Sequence, residues 1–570
     1  VRFLTAHVVH ADGSSADAPE AGDQTFSQSV GYETYYNVRN KFVQMPTMRA
    51  GDFVEIAYRV LPTTLESLYG DYYGSIDQFG SSAPTLFQQY VVLTPTDKSL
   101  YFKPVRFHGQ AEQKTTAAGR VYRWVDHELA AQISEPSAPP SIEQSPYIEV
   151  SAFQNWNDFA RWYTQLIRDT FVVNDEMVQT VAGLVRGKTT EREKVDAIYR
   201  WVIQNTHYVA LELGIHGYRP YPVTQVFHRR FGDCKDKASL IIAMLHLAGI
   251  RSEFVLVRVR ELGLVDPAVP SVADFDHAIA YVPDLNLYLD GTTEYNGANE
   301  LPEGDQRAFV LRIPVSAALA ADAPATVLPV RASVTPERPA AALTPLAPQV
   351  TPEQPPGANV DSRVLNGALD PDGTLHFQMS WIVTGGQAPG LRQAMQLPDR
   401  QAGALQAMLH DQLPGITVAH AFVTHEDNWD QPIEINFDGI IPRFANLSGR
   451  TLLIPRQIIP YQWLPRMASL ATRQYEVLTG PPSILQEEMH LALPAGYSIE
   501  PPPVQKLQQP FASFEASVGQ NGGSLTSHMR MITKQSLITP AEYSGFRSFW
   551  AQVDASLGRA LTATPAGGKQ

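Results

Sequence analysis

The single thiol of this chain, Cys234, stands in Phe231-Gly232-Asp233-Cys234-Lys235-Asp236-Lys237-Ala238, directly before an apolar run of helical character. No second cysteine occurs among the 570 residues, so the thiol has no intrachain partner for a disulfide. A position at a helix N-terminus favours the thiolate, because unsatisfied amide groups and the helix dipole stabilise negative charge there. Downstream lie Asp276-His277-Ala278-Ile279-Ala280 and then Leu287-Tyr288-Leu289-Asp290-Gly291-Thr292. A thiol, an imidazole and a carboxylate in that order are the parts of a nucleophilic cysteine site. The chemistry they would perform is acyl transfer.

Elements able to position these groups are legible around them. Trp156, Phe159, Trp162, Tyr163, Leu166 and Ile167 recur at helical spacing. A second helix is expected from Thr190, with Glu193 completing a capping box and Val195, Ile198 and Val202 forming its apolar stripe. The helix headed by Cys234 carries Leu240, Ile241, Met244, Leu245 and Ala248 and stops at Gly249. Strands are expected over 252–259, 277–282 and 287–289. Helices first, with the nucleophile heading one, followed by strands bearing the base, make an α+β catalytic domain.

On either side the patterning is β-rich. Val54, Ile56, Tyr58 and Val60 alternate at period two, and residues 120–125 do likewise. Asp12-Gly13 reads as a turn, and a Pro-rich stretch over 135–140 closes the segment. The chain therefore divides into an N-terminal β-sandwich accessory domain (1–150), a catalytic core (151–315), an Ala/Pro-rich linker (316–358) and a C-terminal β-rich domain with a terminal helix (359–562). The linker is read from Pro336, Pro339, Pro345, Pro348, Pro352, Pro355 and Pro356. In the last domain a hairpin is expected around Asp370-Pro371-Asp372-Gly373, and a helix with Tyr543, Phe546, Trp550, Val553 and Leu557 on one face.

Composition excludes several classes. A formal net charge of −14 without a basic run argues against nucleic acid. No stretch approaches the roughly 20 apolar residues of a membrane span. The chain starts at Val1 in strand-like sequence without a leader, as expected of a trimmed product, and a single cysteine suits a bacterial envelope protein as well as a reducing cytosol. No HExxH or CxxC occurs, so no metal and no cofactor are expected. Asp370-x-Asp372-Gly373 is a hairpin turn rather than a calcium loop, and the Asn446-Leu447-Ser448 triplet carries no weight.

Taken singly, each catalytic candidate has a plain structural reading. A lone cysteine is most often a small buried hydrophobe, a histidine on an apolar strand a satisfied core residue, and Asp before Gly-Thr a turn cap. Together they match one arrangement, in which a helix delivers the thiol and two adjacent antiparallel strands set imidazole and carboxylate side by side.

The run Tyr208-Val209, Gly217-Tyr218-Arg219-Pro220, Phe231 through Ala238 and Ala248-Gly249-Ile250 resembles the transglutaminase-like superfamily of papain-like cysteine enzymes. His277-Ala278 and Leu289-Asp290-Gly291-Thr292 are similar to that family's histidine and aspartate strands. The whole chain resembles a bacterial subfamily in which a β-rich domain of unknown function precedes the core and another β-rich domain follows. The resemblance implies a papain-like core, with Cys234 as nucleophile, His277 as general base and later acid, and Asp290 orienting the imidazole. It also implies an aromatic oxyanion donor, for which Tyr208 is the choice over Tyr199, Trp201 and Tyr218. A protein or peptide substrate and a periplasmic or extracellular site follow from it, with hydrolysis ahead of transamidation. The rival reading is a binding or assembly protein that uses the core as a scaffold.

Overall fold

The computed structural model describes residues 1–19, 22–25, 34–35, 39–61, 69–70, 72–315, 346–425 and 428–565. In the N-terminal domain the strands Thr85–Thr94, Gln110–Thr116 and Gly119–Leu129 form one antiparallel sheet. Tyr147–Ser151 runs antiparallel between Gly74–Gln78 and Tyr101–Val105 in a second. Phe79, Val92, Tyr122, Trp124, Ile148 and Val150 are buried between them. The expected strand is present as Phe53–Arg59, paired with Arg2–Val9, but Val54, Ile56 and Tyr58 are exposed rather than half-buried. Gly13 donates to His10 O in the expected turn.

The core opens with helix Trp156–Ile167, whose Asn155 side chain accepts from the Asp158 amide. Thr190 and Glu193 form the expected capping box of helix Glu191–Asn205. Between these two lies a helix the periodicity did not reveal, Asp175–Leu184, capped by Asn174. It turns only Met177 and Val181 fully inward, too narrow a stripe to stand out in sequence. Helix Cys234–Leu247 runs through the middle of the core; its first twelve residues are all buried. It packs on a five-stranded antiparallel sheet in the order Leu287–Leu289, His277–Val282, Glu253–Arg258, Phe309–Pro314, Gln349–Val350.

That last strand corrects the linker boundary. Residues 346–358 are not free spacer: Gln349–Val350 extends the five-stranded core sheet, and the buried Thr351 hydroxyl accepts from the Ala308 amide at 2.9 Å. A two-residue edge strand is too short to overcome the proline signal around it. Pro336, Pro339 and Pro345 lie outside the described residues.

The C-terminal domain is built on an eight-stranded sheet holding one parallel pair, Val360–Leu369 against Ser483–Ala492. Val360–Leu369 also forms the expected hairpin with Leu375–Val383, closed by Gly373 donating to Asp370 O. The terminal helix, Tyr543–Leu557, buries Tyr543, Phe546, Trp550, Val553 and Leu557 as its spacing predicts. Among the described residues no helix is long and apolar enough to cross a membrane.

Candidate active site

Cys234 is the first residue of its helix, and the preceding Asp233 caps it by accepting from the Asp236 amide at 3.3 Å. The approach to that helix is tight. A side chain at Gly232 would sit 2.6 Å from Asp236 Cβ, so only glycine lets the Phe231–Gly232 strand pass. Asp236 in turn accepts from the Tyr221 amide at 2.7 Å and from Arg229 at 2.5 Å. Burial, reinforced by Asp233, pushes its carboxyl up to about 7. Lys237, one turn along from Cys234, is fully buried and donates to Thr206 O at 2.7 Å. Burial depresses its ammonium to about 8 against the pull of Glu294 and Asp290. The charges flanking Cys234 therefore hold the start of this helix in place.

His277 begins the second strand of the sheet and Asp290 follows the end of the first, in antiparallel register Ala280↔Leu289. His277 Nε2 lies 3.5 Å from Asp290 Oδ2, an ion-pair distance longer than a good hydrogen bond. The imidazole also interacts with the Cys234 side chain. Burial opposes the imidazolium, yet the negative charge of the Asp290–Asp305 pair, Asp290 foremost, outweighs it and holds the His277 pKa well above its usual value. Asp290 shows the reverse balance: burial would raise its carboxyl, but His277 and the Thr292 contacts keep it below the ordinary range.

The turn-cap reading of Asp290 also holds. Its Oδ1 accepts from the Thr292 amide and hydroxyl, both at 2.8 Å, and Oδ2, which the same hydroxyl also reaches at 3.0 Å, faces the imidazole. Tyr199, a competitor for the oxyanion role, instead donates to Asp290 O at 2.7 Å and stands behind the carboxylate. Trp201 stacks on Phe227. The Tyr208 backbone pairs with Gly232, two residues before Cys234, and its side chain is half-buried against the main core. Tyr218 meets Tyr69 of the N-terminal domain edge-on at 5.3 Å.

Sequence reasoning missed Asp305. It ends the short turn Glu303–Asp305, and its Oδ1 lies 3.9 Å from His277 Nε2. Nothing in Leu301-Pro302-Glu303-Gly304-Asp305 signals more than a turn; only the fold-back of the 290–305 loop brings it to the imidazole. The N-terminal domain also reaches this edge of the core. Thr34–Tyr35 pairs with Ala210–Leu211, and the Tyr69 hydroxyl donates to Gly214 O at 3.1 Å. Cys234 is 8% exposed.

Three family models match the chain. Residues 178–282 match the transglutaminase-like superfamily, 1–133 a domain of unknown function with solved structure (DUF3857), and 452–563 another (DUF3858). The fold is similar to that of a crystal structure from Parabacteroides distasonis ATCC 8503 named a "putative protease". That match has a TM-score of 0.63 at 13% identity, covering 99% of this chain and 88% of the other. A structure from Cytophaga hutchinsonii named a "putative cysteine protease" aligns over 44% of this chain and 86% of its own, at 16% identity and a TM-score of 0.21. No curated protein matches. The chain thus carries a transglutaminase-like core at residues 178–282, flanked by a DUF3857 domain on the N-terminal side and a DUF3858 domain on the C-terminal side.

Proposed function

We propose that the protein is a cysteine-dependent acyl-transfer enzyme acting on peptide or carboxamide bonds, with hydrolysis as its main outcome. The observation that carries this reading is the imidazole of His277, set between the thiol at a helix N-terminus and a buried carboxylate. The superfamily match of the core and the protease name of the full-length structural neighbour support it.

In this reading the Cys234 thiolate attacks the carbonyl carbon, and a C–S bond forms as the carbonyl oxygen takes up negative charge. The Cys234 amide has no intrahelical acceptor at its helix-start position and is the first donor for that oxyanion. Tyr208 remains the candidate second donor. When the oxyanion collapses, the C–N bond breaks and the imidazolium gives its proton to the departing amine, leaving a thioester. Water then attacks the thioester with His277 taking its proton, the C–S bond breaks, and the acid and the thiolate are released. An amine in place of water gives transamidation. The scaffold alternative has no observation of its own in its favour.

The test is iodoacetamide labelling of Cys234 against pH, in the wild type and in His277→Ala. The reading predicts labelling at pH 6–7 much faster than a free thiol, whose pKa is about 8.5, with the advantage lost in the variant. An unreactive thiol, or one indifferent to His277, would overturn it. Casein incubated with and without monodansylcadaverine then separates new peptide termini from amine incorporation.

A further inference from the structure

Behind His277 stand two carboxyl groups, whereas the mechanism above uses one. A ring nitrogen of His277 and one carboxyl oxygen each of Asp290 and Asp305 all lie within 4.8 Å of one another. Asp305 is 2% exposed, and its Oδ2 is buried without a hydrogen-bond partner. Its backbone is fastened at both ends of the turn: its amide donates to Pro302 O at 3.1 Å, and its carbonyl accepts from the Thr351 hydroxyl. The side chain is thus held against the imidazole by the sheet-extending segment after the linker.

We propose that Asp305 is a positioning residue that keeps a proton beside Asp290, so that His277 faces one negative charge instead of two. The inference rests on the catalytic assignment of Cys234 and His277. Two carboxylates this close in a water-poor site do not both ionise readily, and one retains its proton. The unpartnered Oδ2 identifies the protonated member, because burying a bare oxygen costs more on an anion than on a neutral acid. Asp290, by contrast, has Thr292 donors that suit a carboxylate. The electrostatics agree. Burial first, and then Asp290 working against the pull of His277, pushes the Asp305 carboxyl up to about 8. The other titratable groups facing the pair are Glu261, whose charge also opposes ionisation of Asp305, the Tyr199 phenol, and the buried Lys237 ammonium, which interacts with Asp290.

The chemistry gives this arrangement a purpose. His277 must hold a proton beside the thiolate and then surrender it to the leaving amine. One carboxylate stabilises the imidazolium; a second would hold that proton too firmly for transfer. A neutral Asp305 orients Asp290 without adding charge.

The experiment is the iodoacetamide labelling profile of the full chain from pH 4 to 10, in the wild type, Asp305→Asn, Asp305→Ala, Asp290→Asn and His277→Ala, with thermal unfolding of each. Asparagine reproduces the size of a neutral acid. Asp305→Asn should therefore leave the pH at which labelling begins unchanged within about 0.3 unit, whereas Asp290→Asn should raise it by about 1 unit or more. Asp305→Ala, which removes the acid altogether, should slow labelling at pH 7 about tenfold. Two results would overturn the proposal: an acid limb displaced as far in Asp305→Asn as in Asp290→Asn, or labelling at pH 7 unchanged in Asp305→Ala. The two Asp305 variants are read independently, so either decides if the other does not fold. Labelling indifferent to His277→Ala would instead sink the catalytic reading itself.

Discussion

Arg392 of the C-terminal domain closes on Glu300 of the core with both guanidinium nitrogens, at 2.6 Å and 3.0 Å. The same guanidinium donates to Tyr295 O, Trp429 O and Gln431 O, and the side chain has no solvent exposure. Glu300 also accepts from the Gly297 amide at 2.8 Å. The loop that leaves Asp290 and returns to Asp305 is thereby clamped from a different domain.

Removing one side of such a buried pair strands the other charge. Arg392→Ala is expected to destabilise the protein by about 3–5 kcal/mol in urea unfolding, more than an exposed arginine would cost. A loss under about 1 kcal/mol would show that the clamp is not holding the domains together.

Cys234→Ala should abolish acyl transfer while costing only about 1 kcal/mol of stability, since a single sulfur leaves a small cavity. Retained turnover in this variant would remove the nucleophile assignment, whatever its melting temperature.

Asp290→Asn should lower turnover by about a hundredfold or more through a misplaced imidazole. Iodoacetamide should still modify Cys234, because the helix N-terminus is untouched. If both turnover and labelling match the wild type, Asp290 serves only as the cap of its turn.

A second buried acid pair lies at the junction of the N-terminal domain and the core. Glu149 is 0% exposed with both carboxylate oxygens unpartnered, and it interacts with the fully buried Asp274. Burial raises the carboxyl pKa of both, and the charge of Asp274 adds to the effect at Glu149. Unfolded, the two titrate near 4.5 and 3.8, so above that range the folded state binds more protons than the unfolded one. Stability from this pair is therefore present at low pH and lost as pH rises toward and beyond 7. Glu149→Gln should flatten that decline in denaturation midpoints measured from pH 5 to 9. A decline equally steep in the variant would place its origin elsewhere.

Much of this molecule is written in short-range sequence. Thr190 and Glu193 cap their helix as spaced, Cys234 heads a helix that an apolar run continues, and the His277 and Asp290 strands pair as neighbours. Capping, periodicity and strand alternation act over a few residues, so they survive in one dimension. The helix Asp175–Leu184 was hidden because its buried stripe is narrow, and the strand Gln349–Val350 because prolines surround a two-residue pairing.

Chain order by itself supplied the groups of the candidate site, a thiol, an imidazole and a carboxylate on a helix and two strands, and with them the expectation of acyl transfer. Only the tertiary structure decided what surrounds them. Asp305 meets His277 through a loop that folds back, and Arg392 reaches Glu300 across a domain boundary. Such contacts join residues with no shared periodicity, and their charges matter because burial removes the water that would otherwise screen them.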